Sequence, residues 1–157
     1  MPEQTLWTGS PSQVRNLGVF IFSALVAAGI VVASIWFWQW PPGAALALLP
    51  VLYAFWKWLI VRSRQYQLTT ERLLMSYGVF SKTTDSLELY RVKDLRMTQP
   101  FSLRLFGLEN IELTTSDQSS PLVVLDYMPQ GLQLGDKIRA QVETCRVQKG
   151  TREVELE

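Results

Sequence analysis

The chain of 157 residues contains no histidine. Chemistry that needs imidazole as a neutral-pH general base, proton shuttle or metal ligand therefore has no source in it. A single cysteine, Cys145, excludes an intrachain disulfide and a cysteine zinc cluster. Charge is also scarce: 18% of residues are Asp, Glu, Lys or Arg, against about 25% in an average soluble domain. The formal net charge of +1 lacks the excess of Lys and Arg with which general nucleic-acid binders neutralise phosphate, so no nucleic acid is expected as a partner. Paired carboxylates are missing as well. Asp85 and Glu88 are three apart in an expected strand and face opposite ways, as are Glu109 and Glu112. No catalytic, cofactor-binding or metal-binding set emerges, and the chain is not expected to be an enzyme.

What is present is unevenly placed. Before residue 62 the only charged residues are Glu3, Arg15 and Lys57, and residues 16–56 hold none. As one straight helix that stretch would run about 60 Å at 1.5 Å per residue, twice the thickness of a hydrocarbon core. The sequence Trp40-Pro41-Pro42-Gly43 breaks it, because prolines remove backbone donors and disfavour helix before them. Two membrane spans result, 17–40 and 43–61, within a hairpin of residues 16–62 that follows a juxtamembrane segment 1–15. A cleaved signal peptide has an apolar core of about 7–15 residues close behind positive charge. This one is longer and starts late, behind Arg15 alone, so a retained helix is expected. Pro50 within the second span predicts a bend near Ala47. Small residues Ala24, Ala28, Gly29 and Ala33, with Gly43, Ala44 and Ala47, would let helices approach closely.

All six tryptophans precede residue 59. Trp36, Trp38 and Trp40 fall near the hairpin turn and Trp56 and Trp58 at the other end, with Trp7 ahead of the first helix. Amphipathic rings favour the headgroup level, so these read as interfacial anchors. A substrate-stacking site is the alternative, but the positions follow the ends of the spans rather than one helical face. Arg15 precedes the hairpin, Lys57, Arg62 and Arg64 follow it, and its turn carries no cation, which predicts cytoplasmic amino and carboxy termini.

From Arg64 onward the apolar period changes to two. Strands are expected at 65–69, 72–77, 83–89, 95–99, 110–115 and 122–127. Gly78 suits a hairpin turn and residues 116–121 a loop. Leu134, Ile138, Val142 and Cys145 then form one apolar helical stripe, with Cys145 expected in the core. Residues 148–157 read as a flexible tail.

The runs Tyr66-Gln67-Leu68-Thr69-Thr70-Glu71-Arg72-Leu73 and Tyr77-Gly78-Val79-Phe80 carry a resemblance, as do Leu89-Tyr90-Arg91-Val92-Lys93-Asp94-Leu95, Gln99-Pro100-Phe101 and Leu105-Phe106-Gly107-Leu108. In order and spacing they resemble the bacterial pleckstrin-homology-like (PH-like) domains, in the type flanked by membrane helices, over residues 64–147. The segment Leu6-Trp7-Thr8-Gly9-Ser10-Pro11-Ser12-Gln13 is similar to the one that precedes the hairpin in such proteins. The resemblance implies a membrane α-helical hairpin plus an all-β, seven-stranded, partly open barrel capped by a carboxy-terminal helix, in the bacterial inner membrane. Six strands are read directly, so one edge strand is either missed or merged with a neighbour in this reading.

Residues 62–104 hold eight Lys/Arg against four Asp/Glu, and residues 105–157 five against nine. Arg62, Arg64 and Arg72 are expected nearest the membrane exit, where each cation facing an anionic leaflet contributes about 1 kcal/mol. A plain solvated face is the other reading. Arg91, Lys93 and Arg96 form a second candidate headgroup contact, offset by Glu88 and Asp94. No dense basic loop lies between the first expected strands, where only Glu71 and Arg72 are charged. The function expected is a membrane-anchored, non-enzymatic interaction or scaffold module. It would offer strand edges and the barrel mouth to a protein partner or to copies of itself. The alternative is recognition of anionic lipid by the basic half.

Overall fold

The computed structural model describes residues 3–36, 41–117 and 120–150. Strand β1 (Thr5–Gly9) leads through a 3-10 turn (Gln13–Asn16) into helix α1 (Leu17–Trp36). A 3-10 segment (Pro41–Ala47) and helix α2 (Leu48–Arg62) complete the hairpin. Then come β2 (Gln65–Thr69), β3 (Arg72–Tyr77), β4 (Thr83–Glu88), β5 (Val92–Thr98), the short helix α3 (Phe101–Leu105), β6 (Leu108–Thr115), β7 (Leu122–Pro129) and helix α4 (Leu134–Lys149).

The helical pair inverts the pattern of a soluble one. The buried positions of α1 are Ser23 and Ser34, whereas Phe22 and Leu25 are 69% and 67% exposed. A helix in water turns its apolar stripe inward. Here the small polar residues face in, as they do where the surroundings are apolar. The stretches Gln13–Trp36 and Gly43–Arg62 are both long and apolar enough to cross a membrane. The inward face runs through Ser23, Ala27 and Ser34, while Ala24, Ala28 and Gly29 look outward. Of the small residues expected to allow close approach, within the hairpin or to a partner helix, only Gly43 is buried. Near Ala47, where Pro50 predicts a bend, the backbone changes from 3-10 to α geometry between Ala47 and Leu48.

Two antiparallel sheets follow, ordered β1-β2-β3-β4 and β5-β6-β7. Alternation sets their register: Leu68 pairs with Leu73 and Leu73 with Leu87, a row of leucines at most 1% exposed. On the second sheet Ile111 pairs with Leu125 and Leu113 with Val123, all buried. The two rows face one core, which α4 closes with Leu134, Ile138, Val142 and Cys145, each buried as its spacing predicts. The Cys145 thiol donates to the Thr70 carbonyl at 3.1 Å.

The missing seventh strand is β1, inside the segment expected to be juxtamembrane. It pairs antiparallel with β2 from Thr5 opposite Thr69 to Gly9 opposite Tyr66. The helical hairpin thus lies in the connection between the first two strands of the sheet. Residues 70 and 71, taken as the loop between the first strands, join β2 to β3. Three further differences come from β-bulges, which add a residue and shift the inward set by one. Val92 and Leu95 both face the core although they are three apart, because the register slips between Val92 and Asp94. A second slip between Glu109 and Ile111 puts Leu125 and Met128 on the same side. Strands β5 and β6 therefore start earlier, and β7 ends later, than strict alternation allows. Conversely, β4 stops at Glu88, where a 3-10 turn of Leu89–Arg91 begins.

Candidate functional site

The hairpin meets the barrel through a small polar lock. The Asn16 side chain, 6% exposed, donates from Nδ2 to the Lys57 carbonyl at 2.8 Å. Gln13 Nε2 donates to the Trp58 carbonyl at 3.3 Å. The turn that carries both is capped by Ser12, whose Oγ accepts from the Val14 N–H. From the other side, the Ser12 N–H donates to the Tyr127 carbonyl at 3.0 Å, and Arg15 Nη1 lies 3.6 Å from Asp126. Tyr127 is held at φ +56° in the β7 bulge. One four-residue turn thereby joins α1, the end of α2 and strand β7.

At the second crossing, α2 passes to β2 through Ser63 and Arg64, and the β3–β4 turn rises beside it. The register places Ser76 opposite Gln65, so this turn is at the helix end of the sheet. Gly78, at φ +121°, makes the reversal: a β-carbon there would lie 1.8 Å from the Ser81 carbonyl oxygen. The tip brings the Phe80 ring to 5.6 Å from that of Trp56. Between them is a cleft of about 350 Å³ walled by Trp56, Ile60, Val79 and Phe80, with Arg64 also lining it. Arg64 also lines a second cavity of about 300 Å³, together with Tyr66, Met75, Tyr77, Asp85 and Leu122. There the Tyr77 hydroxyl donates to Asp85 Oδ2 at 2.7 Å. That hydrogen bond, aided by burial and the carboxylate charge, holds the phenol above its ordinary value.

The cations named from sequence do not form one surface. Arg62 is exposed at the end of α2 and Arg64 is half-buried beside it. Neither makes an ion pair among the described residues. Arg72 begins β3, so it sits at the end of the β2–β3 hairpin away from the helices, 3.7 Å from Glu3. Its expected place near the membrane exit is corrected by the register: β2 runs its full length from the helix end before the chain turns back. Arg91 is engaged internally, 3.1 Å from Glu88 and 3.5 Å from Asp117, and it donates to the Tyr90 hydroxyl at 3.2 Å. The bond to Tyr90 is the first reason its guanidinium is held above its usual value, with Glu88 and Asp117 adding to it. Lys93, in the β5 bulge, and Arg96, opposite Glu112 on β6, are both exposed.

Among the tryptophans, Trp36 ends α1 and is 81% exposed, and Trp56 and Trp58 lie near the end of α2, partly exposed. Trp38 and Trp40 lie outside the described residues. Trp7 takes a different place from the one expected. It is on β1, packs against the barrel core and covers Gly9, so its ring does a core residue's work. Three features escaped the sequence reading: the apolar Val79-Phe80 tip, the polar Tyr77–Asp85 pair, and α3, where Phe101 and Leu105 are 84% and 73% exposed. Two adjacent apolar residues between Gly78 and Ser81-Lys82 were the available signal for the first.

Among the described residues no group of His, Cys, Asp and Glu could hold a metal ion. Glu109 is buried alone, accepting from Gln99 Nε2 at 3.0 Å. The surface instead presents the apolar Val79-Phe80 tip, the exposed Phe101 and Leu105 of α3, and Arg62 and Arg64 at the end of α2.

The bacterial PH domain family matches the chain over residues 13–142, a stretch that includes both helices as well as the sheets after them. Among solved structures, a DUF1696 family protein with a pleckstrin-homology domain from Shewanella loihica is similar to it. That similarity has 14% sequence identity over 52% of this chain and 73% of the other, with a TM-score of 0.44. No curated protein matches the chain.

Proposed function

The chain belongs to the bacterial PH domain family, and from that premise we propose that it is a membrane-anchored, non-enzymatic module that presents its barrel to a protein partner or to copies of itself. An interaction or binding role is what the PH-like fold indicates. The observation that carries the finer reading is the insertion of the hairpin between β1 and β2. A barrel tied to its anchor by both ends of the same connection is held at the bilayer rather than tethered on a flexible linker. Confinement to that surface raises the effective concentration of any partner in the same membrane. Phe101 and Leu105 are exposed on the soluble half, and aromatic and aliphatic side chains of this kind supply interface energy. With Arg15 and Arg62 flanking the hairpin, both termini face the cytoplasm of a bacterial cell.

The test uses the full chain extracted in mild detergent. Light scattering is expected to give a protein mass above that of the 17.9 kDa monomer, or a stoichiometric partner is retained. Phe101→Asp with Leu105→Asp reduces either. A strictly monomeric chain that retains no protein, in several detergents, overturns the reading.

A second reading, anionic lipid recognition, is favoured by Arg62 and Arg64, which remain without an acidic partner among the described residues. In a thermal-shift titration of the full chain, phosphatidylglycerol stabilises more than phosphatidylcholine, and Arg62→Glu with Arg64→Glu removes the difference. Equal shifts from both lipids exclude it. A fragment of residues 64–157 is unsuitable for this measurement, because it lacks the β1 edge strand.

A further inference from the structure

Phe80 is 89% exposed, the most exposed of the large apolar residues described outside the helices. Its ring partner, Trp56, belongs to α2 and is itself 41% exposed. Whatever surrounds the outer face of Trp56 therefore also surrounds Phe80. Resting on the reading of the hairpin as membrane-spanning, we propose that the β3–β4 tip is a third attachment to the bilayer, with Val79 and Phe80 seated in the lipid interface beside Trp56.

The vertical position agrees. Trp56 is six residues before the end of α2, about 9 Å up the helix from Arg62 at 1.5 Å per residue. In the other direction, the 3-10 segment rises about 2.0 Å per residue and α2 about 1.5 Å, which puts Trp56 about 26 Å from Pro41 along the helix. That is close to a hydrocarbon thickness of about 30 Å. Trp56 thus marks the boundary where indole rings concentrate, and Phe80 stands level with it. The irregular backbone of the tip suits this depth and no deeper, since lipid-exposed loops do not occur in the hydrocarbon region. Lys82, exposed at the base of the tip, and Arg64, lining the cleft, are the cations available at phosphate level. Gly78 supplies the φ that lets the tip turn up along α2. The barrel is then fixed by the two helix crossings and this tip, which prevents it from swivelling about its exits.

The experiment places an environment-sensitive nitrobenzoxadiazole (NBD) probe on single cysteines in the full chain, with Cys145→Ser as background, in phosphatidylcholine–phosphatidylglycerol vesicles. Probe sites are Phe80→Cys, Ser81→Cys with Phe80 retained, Leu25→Cys on α1 as the lipid reference and Lys137→Cys on α4 as the water reference. Lipids bearing a nitroxide near the top of the acyl chain are expected to quench both tip probes at least two-fold, and aqueous iodide to leave them nearly unaffected. Position 137 shows the reverse. If the probe at 25 is quenched by lipid while both tip probes respond only to iodide, the proposal fails and the membrane reading stands. If the tip probes are shielded from both quenchers, a protein surface covers them and the proposal fails in favour of that contact. If position 25 also escapes lipid quenching, the membrane reading itself falls, and the proposal with it.

Discussion

Asn16 and Lys57 are 41 residues apart in sequence, yet the amide of one donates to the backbone carbonyl of the other at 2.8 Å. The bond joins the start of α1 to the last turns of α2, and Asn16 is buried in making it. A net contribution of about 0.5–1.5 kcal/mol is expected of such a bond. Asn16→Ala should lower the melting temperature of the detergent-solubilised chain by a few degrees. Asn16→Asp should cost more, because a carboxylate then opposes the Lys57 carbonyl without a proton to share. Equal melting of the two variants would contradict the assignment of the amide as donor.

Glycine is required at the β3–β4 reversal for two reasons, conformation and space. At Gly78 a β-carbon meets the Ser81 carbonyl, whereas at Gly107, φ +63°, nothing lies within 4 Å. Gly107→Ala should cost about 1–2 kcal/mol, the left-handed penalty alone. Gly78→Ala should cost more, and it should also move Phe80 off Trp56, which changes tryptophan emission. Thermal melts of the two variants, with emission spectra, check the ranking.

The Tyr77–Asp85 pair sets an alkaline limit. Because the folded phenol is held above its ordinary value of 10.0 by the Asp85 hydrogen bond first, its stabilisation is fully present below that value. It is lost as pH rises through the raised one. Tyrosinate absorbance should show Tyr77 titrating above its ordinary value in the native chain, and Asp85→Asn should lower that step. An unchanged titration in Asp85→Asn would mean the bond is not made.

Arg91 works as a clip between the 3-10 turn after β4 and the loop before β7, with Glu88 and Asp117 as its anchors. These groups are partly exposed, so a Glu88→Ala, Arg91→Ala double-mutant cycle should give only a weak coupling, one that salt diminishes. Arg91→Lys should not restore it, since one ammonium cannot reach both carboxylates with a planar fork. Lipid-dependent thermal shifts should be the same in Arg91→Ala as in the parent chain. A loss of lipid response there would return Arg91 to the lipid-contact set.

Much of the fold is written in local patterns. The charge-free stretch, the proline break and the period-four stripe of α4 each need only neighbours to be read, and β2 and β3 have the residue limits expected of them. What escaped depends on distant partners. Strand β1 is short, mostly exposed and pairs with a segment about 60 residues on, so nothing local distinguishes it from a leader to the helix. The bulges hid Val92 and Met128 because alternation is the signal and a bulge interrupts it. Residue size in α1 left packing within the hairpin and packing against a partner helix both open, and the burial of Ser23 and Ser34 was not legible from it. The position of Arg62 and Arg64 at the end of α2 was legible because they follow the last apolar residue directly. The engagement of Arg91 was not, because Asp117 reaches it only once β5 and β6 have paired.

The hairpin in the β1–β2 connection also orders events during synthesis. Strand β1 is made before β2 and, if the hairpin crosses the bilayer as proposed, has no partner until both helices have emerged and the chain has returned to the starting side. If the second helix fails to come back, β1 and β2 are stranded on opposite sides of the bilayer and Leu68 loses its covered edge. On the proposed topology, completion of the sheet therefore depends on both helices being inserted, because β2 reaches β1 only from the same side.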